Sequence, residues 1–520
     1  MTQMTFSGWP ENSMENIRVD DRGRYATRPK RRTAQLPENV TALATDGALC
    51  YISEGKLFVE EYPVEATLSP GEKQLLQLGH EVLVLPDKLV VNMLDLSCEP
   101  AEAVWQGECR YSLCDAAGRV YTLNYHGTTQ PADPVCGEYW VDTTVTPTVL
   151  RQFNPNGNWV IVPQTCIRLE ADGLGRRFSK GDCLQISGQV VSGAKTVRQA
   201  GTNYIVVDGI MGQSLTGIVT LQRLIPDMDI LFPCGDRLWG CRWGLGINRI
   251  YCSRPGDCRN WLAAEISEEA PWQAEVASAG RFTGGMALGK TPVFFKEHFL
   301  HRVTGAAPGS FRVETVRCSG VRPDGGDSLA VAEGTLYYCS GEGIMAYTGA
   351  DTPKCVLPGS FAKGHAGALG KDYCLSCVVS GSAMFLRYDT RRKLCCREDG
   401  LQATCLRPYG SALLCIADGM AVELCVDAGG NEIDFPWHLE TDMEYPSKTP
   451  KTVHIRGSLR GSAQLSISYD GGQWELLESM DSKTPVSYWA VNTRCKACNC
   501  FRLRLEGTGR MTLQSIGVTA

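Results

Sequence analysis

Histidine is scarce in this 520-residue chain, with seven in all. His298 and His301 lie an odd number of positions apart in one strand-like run, so they face opposite ways and share no metal. No His-Glu-x-x-His pair, Gly-x-Ser-x-Gly elbow or catalytic-cysteine signature is present. The residues therefore read as a chain that acts without catalysis and without a cofactor, although 57 Asp and Glu leave a glycosidase carboxylate pair open. Long apolar runs are also missing. Nothing approaches the roughly 18 consecutive apolar residues of a membrane-spanning helix. Met1 to Glu15 carries Thr, Ser, Pro and Glu where a signal peptide has a basic start and an apolar run, so neither membrane contact nor export by that route is expected. Positive charge is not in excess. A net charge of −6 argues against general polyanion binding, which needs clustered Lys and Arg to release counterions. At 43% hydrophobic and 21% charged, the composition is globular, and the length calls for two to four domains.

Cysteine, in contrast, is abundant at 24 residues. Most stand singly inside β-like runs, as in Leu336-Tyr-Tyr-Cys339, Leu413-Leu-Cys415 and Glu423-Leu-Cys425, where a thiol serves as a small buried hydrophobe. Free, reduced thiols follow. Two pairs have ligand-like spacing, Cys374 with Cys377, and Cys495 with Cys498 followed by Cys500. A zinc knuckle needs four ligands and turn residues between them, whereas Leu375 and Ser376 look like strand, so no metal is assigned.

Period-two alternation in runs of four to eight residues, broken by Gly, Asp, Pro or Ser, dominates the chain and predicts an all-β protein. Helical candidates are few: Ser69-Pro-Gly-Glu72 reads as a capping box ahead of Gln74-Leu-Leu-Gln-Leu, and Asn260 to Ile266 as one or two turns. A strand, tight turn and aromatic-rich or Cys-rich strand recur from near Thr41, Leu75, Asp236, Gly284, Ser328, Gly367 and Ala403. The later starts are roughly 40 residues apart, the size of a four-stranded propeller blade. A six- or seven-bladed β-propeller follows, with an N-terminal arm and first blades over residues 1–133 and the remaining blades over 230–430. Residues 134–229 break the rhythm and are expected as an inserted small β domain that projects from the disk. Residues 431–520 alternate differently and are expected as a C-terminal β-sandwich.

Two motif matches fail on context. Gly284-Gly-Met-Ala-Leu-Gly289-Lys290-Thr291 satisfies the P-loop pattern, but Pro292-Val-Phe-Phe continues as a strand where a phosphate site needs a helix N-terminus. It reads as a hairpin turn. Ser468-Tyr-Asp470-Gly-Gly472-Gln-Trp474 approaches a sialidase-type Asp-box one residue short. It reads as a hairpin turn with Trp474 in the sandwich core, and in the alternative as a glycan platform on Trp474. The dense basic run Arg28-Pro-Lys30-Arg31-Arg32 is a candidate partner or DNA contact, weighed against local carboxylate pairing. Asn154, Asn156 and Asn158, in a loop-rich part of the insert, are candidate partner contacts too.

Several phrases together resemble a known family. They are Glu15-Asn-Ile-Arg-Val-Asp with Tyr25 and Thr27-Arg28-Pro29; Phe178-Ser-Lys-Gly181-Asp182-Cys-Leu-Gln-Ile186; Asn248-Arg-Ile-Tyr-Cys-Ser253 with Gly256, Asp257 and Trp261; Phe294 to Glu297 with Val303-Thr-Gly305; and Ser328 to Tyr338. In this order they resemble the β-propeller virion proteins of tailed bacteriophages and prophages, the packaged-DNA stabilisation or tail-nozzle group. The resemblance spans most of the chain, while the cysteine load and the C-terminal module depart from it. It implies a structural virion component at the head-to-tail conduit or tail, assembled in the host cytoplasm as a cyclic homo-oligomer, a hexamer. Its partners would be portal, adaptor or tail proteins, with passing contact to packaged DNA. A glycan-binding or glycan-degrading propeller is the alternative, and an intracellular scaffold propeller a third reading.

Overall fold

The computed structural model describes residues 2–8, 14–265, 267–424 and 430–519. Strands make up the regular structure, and the helices among the described residues are two single 3-10 turns, Leu174–Arg176 and Gly326–Ser328. Gln74–Leu78, expected as helical, is a strand paired with Glu81–Leu85. Leu75 packs into a core shared with residues 40–63, while Leu76 and Leu78 enter the core shared with residues 230–275. The segment is apolar on both faces because a sheet flanks each of them, and a strand presents alternate residues to the two. The Ser69 hydroxyl accepts from Lys73 Nζ at 2.7 Å instead of capping a helix. Residues 260–265 carry no helix either, and Ile266 lies outside the described residues.

Four-stranded antiparallel units cover residues 40–63, 74–100, 230–275, 282–317, 330–358, 362–399 and 404–424. The last is completed by Arg32–Thr33, which pairs with Met420–Leu424 as its outermost strand. Each unit shares an apolar core with the next. Period two supplies both sides: Phe294 faces the unit before it and its neighbour Phe295 the unit after. Leu414 and Ile416 of the last unit pack on Leu43 and Tyr51 of the first, which closes the ring. This is a β-propeller arrangement, whose closure leaves short sheet edges.

The insert begins and ends earlier than its alternation suggests. Ala103–Cys114 and Leu215–Arg223 belong to a closed six-stranded barrel, and a four-stranded sheet from Tyr125–Gly127 to Trp159–Ile161 is threaded between its first two strands. Residues 103–133 therefore leave the first blades and join the insert. The boundary is hard to read because Ala103–Cys114 alternates like a blade strand. Nor does the barrel simply project from the disk. Asp182, Arg223 and Asn260 are buried together: Asn260 Nδ2 donates to Asp182 at 3.1 Å, and the Cys183 N–H donates to Asn260 Oδ1 at 2.8 Å. Arg254 adds a bond to the Gly181 carbonyl at 2.9 Å. The long loop of the 230–275 unit thus grips the barrel.

The C-terminal module is built from both chain ends. Thr452–Tyr469 is bent by register shifts after Arg456, so it pairs with Arg510–Thr519 in its first half and with Phe501–Thr508 in its second. Thr2–Gln3 and Tyr25–Thr27 extend the sheet along Arg510–Thr519. Met14–Glu15 lies between Pro436–Glu440 and Leu394–Asp399, so the module continues the sheet of the 362–399 unit. A separable sandwich of residues 431–520 is replaced by a folded sheet around Met4, Met14, Trp437, Leu465 and Phe501.

Candidate functional site

The basic run near the N-terminus is engaged within the chain. Arg28 holds Glu432 through both terminal nitrogens at 2.8 Å, donates from Nε to Asn16 at 2.6 Å, and lies over the Phe435 ring at 3.8 Å. Arg31 reaches Glu398 at 3.0 Å and Asp399 at 2.6 Å, and Arg387 donates to Glu398 at 2.7 Å. Burial alone would push the Glu398 carboxyl up, but the surrounding charges of Arg387, Arg31 and Arg28 win and hold it at about 2. Lys30 pairs with Asp434 at 2.7 Å and Arg32 with Glu423 at 2.5 Å. The expected partner or DNA patch is corrected accordingly: Arg28 and Arg31 are buried, and the run clamps the N-terminal arm to the ring and to the C-terminal module.

The other expected contacts lie elsewhere. Asn154 accepts the N–H groups of Asn156 and Asn158 at 3.0 and 2.9 Å, so these residues build an exposed turn in the insert. Trp474 is half-buried and outside the apolar core, with the Arg504 guanidinium 4.3 Å above its ring and Arg502 at 5.6 Å. Neither the core position nor an open platform is found. The turn is as expected, with Asp470 and Gly471 at φ 49° and 71°. The P-loop match is a hairpin: Phe282–Leu288 pairs with Thr291–Lys296 across Gly289 at φ 61°. No disulfide joins the described cysteines, Cys425 lies outside the described residues, and no metal-binding group of His, Cys, Asp or Glu occurs among those described.

Two arrangements have chemical content that the sequence did not reveal. In the first, His301 is fully buried and bonded to Ser278 Oγ and Thr315 Oγ1, both at 2.9 Å. Burial, helped by the Lys296 charge, pushes its imidazole down to about 4, so it is neutral. Lys296 is buried as well and donates to Asn248 Oδ1 at 2.8 Å and the Ser278 carbonyl at 2.7 Å. Burial pushes its amine down to about 8. The group pins the crossover from the 230–275 unit to the 282–317 unit. His298 stands in the hairpin turn, not in the strand.

The second is a cleft of about 520 Å³ where the chain returns from the barrel to the ring. Pro86 and Lys88 line it from the 74–100 unit, Ile225 to Asp229 from the chain leaving the barrel, and Arg242 from the 230–275 unit. Its volume is within the range of small-molecule sites. Lys88 pairs with Glu102 at 2.6 Å and with Asp227 at 3.6 Å, and Asp229 accepts the Trp243 N–H at 2.7 Å. Arg242 has an ion pair to Asp227 at 3.8 Å, beyond hydrogen-bond reach, and its Nε is buried without a hydrogen-bond partner. Sequence reasoning missed this site because the barrel separates its two walls in the chain.

No family model and no curated protein matches the chain. Among solved structures, it is similar to an exo-β-1,3-galactanase from Phanerochaete chrysosporium, with 9% identity and a TM-score of 0.24 over 56% of this chain and 95% of that one. A dihydro-heme d1 dehydrogenase matches at 10% identity and a TM-score of 0.27, over 80% and 74%. A glycoside hydrolase family 43 arabinoxylan arabinofuranohydrolase from Bacillus subtilis matches at 10% and 0.17, over 72% and 93%. With enzymes among these matches, the expectation of a chain without catalysis is corrected and carried no further. At these TM-scores the likeness assigns no activity to this chain.

Proposed function

We propose that this chain is a structural component of a tailed-phage or prophage virion, assembled in the bacterial host cytoplasm as a cyclic hexamer at the head-to-tail conduit or tail. The seven four-stranded units would act as one seven-bladed propeller. The insert is the observation that carries this reading. It is gripped by the buried Asp182, Arg223 and Asn260 group, yet it turns Val104, Val160, Ile161 and Ile218 outward at 47, 49, 49 and 64% exposure. Apolar side chains held outward on a braced frame would be available for docking of portal, adaptor or tail neighbours. Contact with passing DNA would fall to surfaces other than Arg28 to Arg32. Purified particles analysed by mass spectrometry, with electron microscopy of the purified chain, test the reading. We expect the chain in particles and as a ring, and a Val160→Asp, Ile161→Asp variant that folds but is left out. A monomer absent from particles sinks it.

A glycan-binding or glycan-degrading propeller is the second reading, and the cleft between the 74–100 and 230–275 units favours it. Its size, its apolar lining of Pro86, Ile225 and Pro226, and its open carboxylates suit a hydroxylated ligand.

A further inference from the structure

We propose that the cleft behind the barrel binds a saccharide bearing a carboxylate, of the uronic-acid class, and that Arg242 is its carboxylate receptor. The proposal rests on the glycan reading and narrows it. A guanidinium offers a planar fork of donors that fits a carboxylate bidentately. Several arginines of this chain have that fork filled, as Arg28 does by Glu432. Arg242, which lines the cleft, is paired among the described residues only with Asp227 and at 3.8 Å, beyond hydrogen-bond reach. Arg249, directly across the strand pair, is taken by Glu275, so the like charge beside Arg242 is already neutralised.

The rest of the cleft selects what is attached to the carboxylate. Asp227 is 74% exposed and holds its cations only at 3.6 and 3.8 Å, which leaves lone pairs free to accept hydroxyl hydrogens. Pro86 and Pro226, with the edge of Ile225, give the cleft an apolar lining against which a sugar ring can lie. Lys88 lies 3.6 Å from Asp227 and is itself held by Glu102 at 2.6 Å. Inorganic phosphate would meet Arg242 and could donate a P–OH proton to Asp227, but would leave the apolar lining of Pro86 and Pro226 uncovered. A neutral sugar would satisfy Asp227 and leave Arg242 unmet.

The test is calorimetric titration of the full chain with a galacturonate trisaccharide, a galactose trisaccharide and inorganic phosphate. Expected is binding of the acidic trisaccharide at least tenfold tighter than the other two. Arg242→Gln should weaken it tenfold or more with the unfolding midpoint held, and Arg242→Lys should restore part of it. Asp227→Asn, which removes the competing carboxylate from Arg242, should leave the acid bound while lowering discrimination against phosphate. Binding of the neutral trisaccharide untouched by Arg242→Gln overturns the proposal and spares the glycan reading. No binding of either trisaccharide overturns both, and phosphate binding as tightly as the acid overturns the saccharide class.

Discussion

Arg31 and Glu398 meet at 3.0 Å in the interior, and the contact ties the N-terminal arm to a strand near the other end of the chain. Arg28 and Arg387 complete the set around the same carboxylate. The arm also supplies Arg32–Thr33 to the last ring unit, so the same segment joins this ion group to the ring.

Glu398→Gln removes the charge that three buried guanidinia share, and removing one partner of a buried pair costs about 3–5 kcal/mol. The folded carboxyl sits at about 2, against an ordinary value of 4.5. Its contribution is therefore present above pH 4.5 and lost as pH falls from there toward 2. Urea midpoints should show a lower plateau for the variant and a shallower acid limb. Equal acid limbs would remove Glu398 from the acid response.

Lys296 and His301 act with the opposite charge. Their folded values of about 8 and 4 lie below the ordinary 10.5 and 6.5, so the unfolded chain binds more protons in each interval. Stability should rise with pH from 4 to 6.5 through His301, and again from 8 toward 10.5 through Lys296. Lys296→Met should abolish the alkaline gain and shrink the acidic one, because burial alone then depresses His301. Thermal melts across pH 8 to 10 check this, and an unchanged slope in the variant would refute it.

Asn260→Ala should loosen the barrel from the ring. The change leaves the Cys183 N–H without its acceptor and Asp182 with one donor fewer. Unsatisfied buried groups cost about 1–3 kcal/mol each. Limited proteolysis should then cut earlier at residues 253–265 while the circular dichroism spectrum is retained. Unaltered cleavage kinetics would mean that the grip lies elsewhere.

Thiol reactivity should split in two. Among the described residues Cys136, Cys355 and Cys495 are exposed and should react quickly with a thiol reagent in the native protein. Burial pushes Cys109 and Cys252 up to about 11, and such thiols should wait for unfolding. Denaturation without reductant should release all 24. A markedly lower count would show disulfides.

The sequence by itself determined the strand-rich ring. Its alternation registers burial between two neighbours, as at Phe294 and Phe295, and each turn residue acts locally, as Gly289 does in the hairpin that mimics a P-loop. The insert was legible as an interruption but not at its edges, because Ala103–Cys114 alternates in a barrel as it would in a blade. Only the tertiary structure decided what the charges do. Arg28 and Arg31 read as an exposed patch because their acceptors, Glu398, Asp399 and Glu432, lie far along the chain. Arg242 showed no signal at all, since the walls of its cleft are separated by the whole barrel. Local pattern follows from backbone geometry, whereas ion pairing and clefts depend on which distant segments the closed ring brings together.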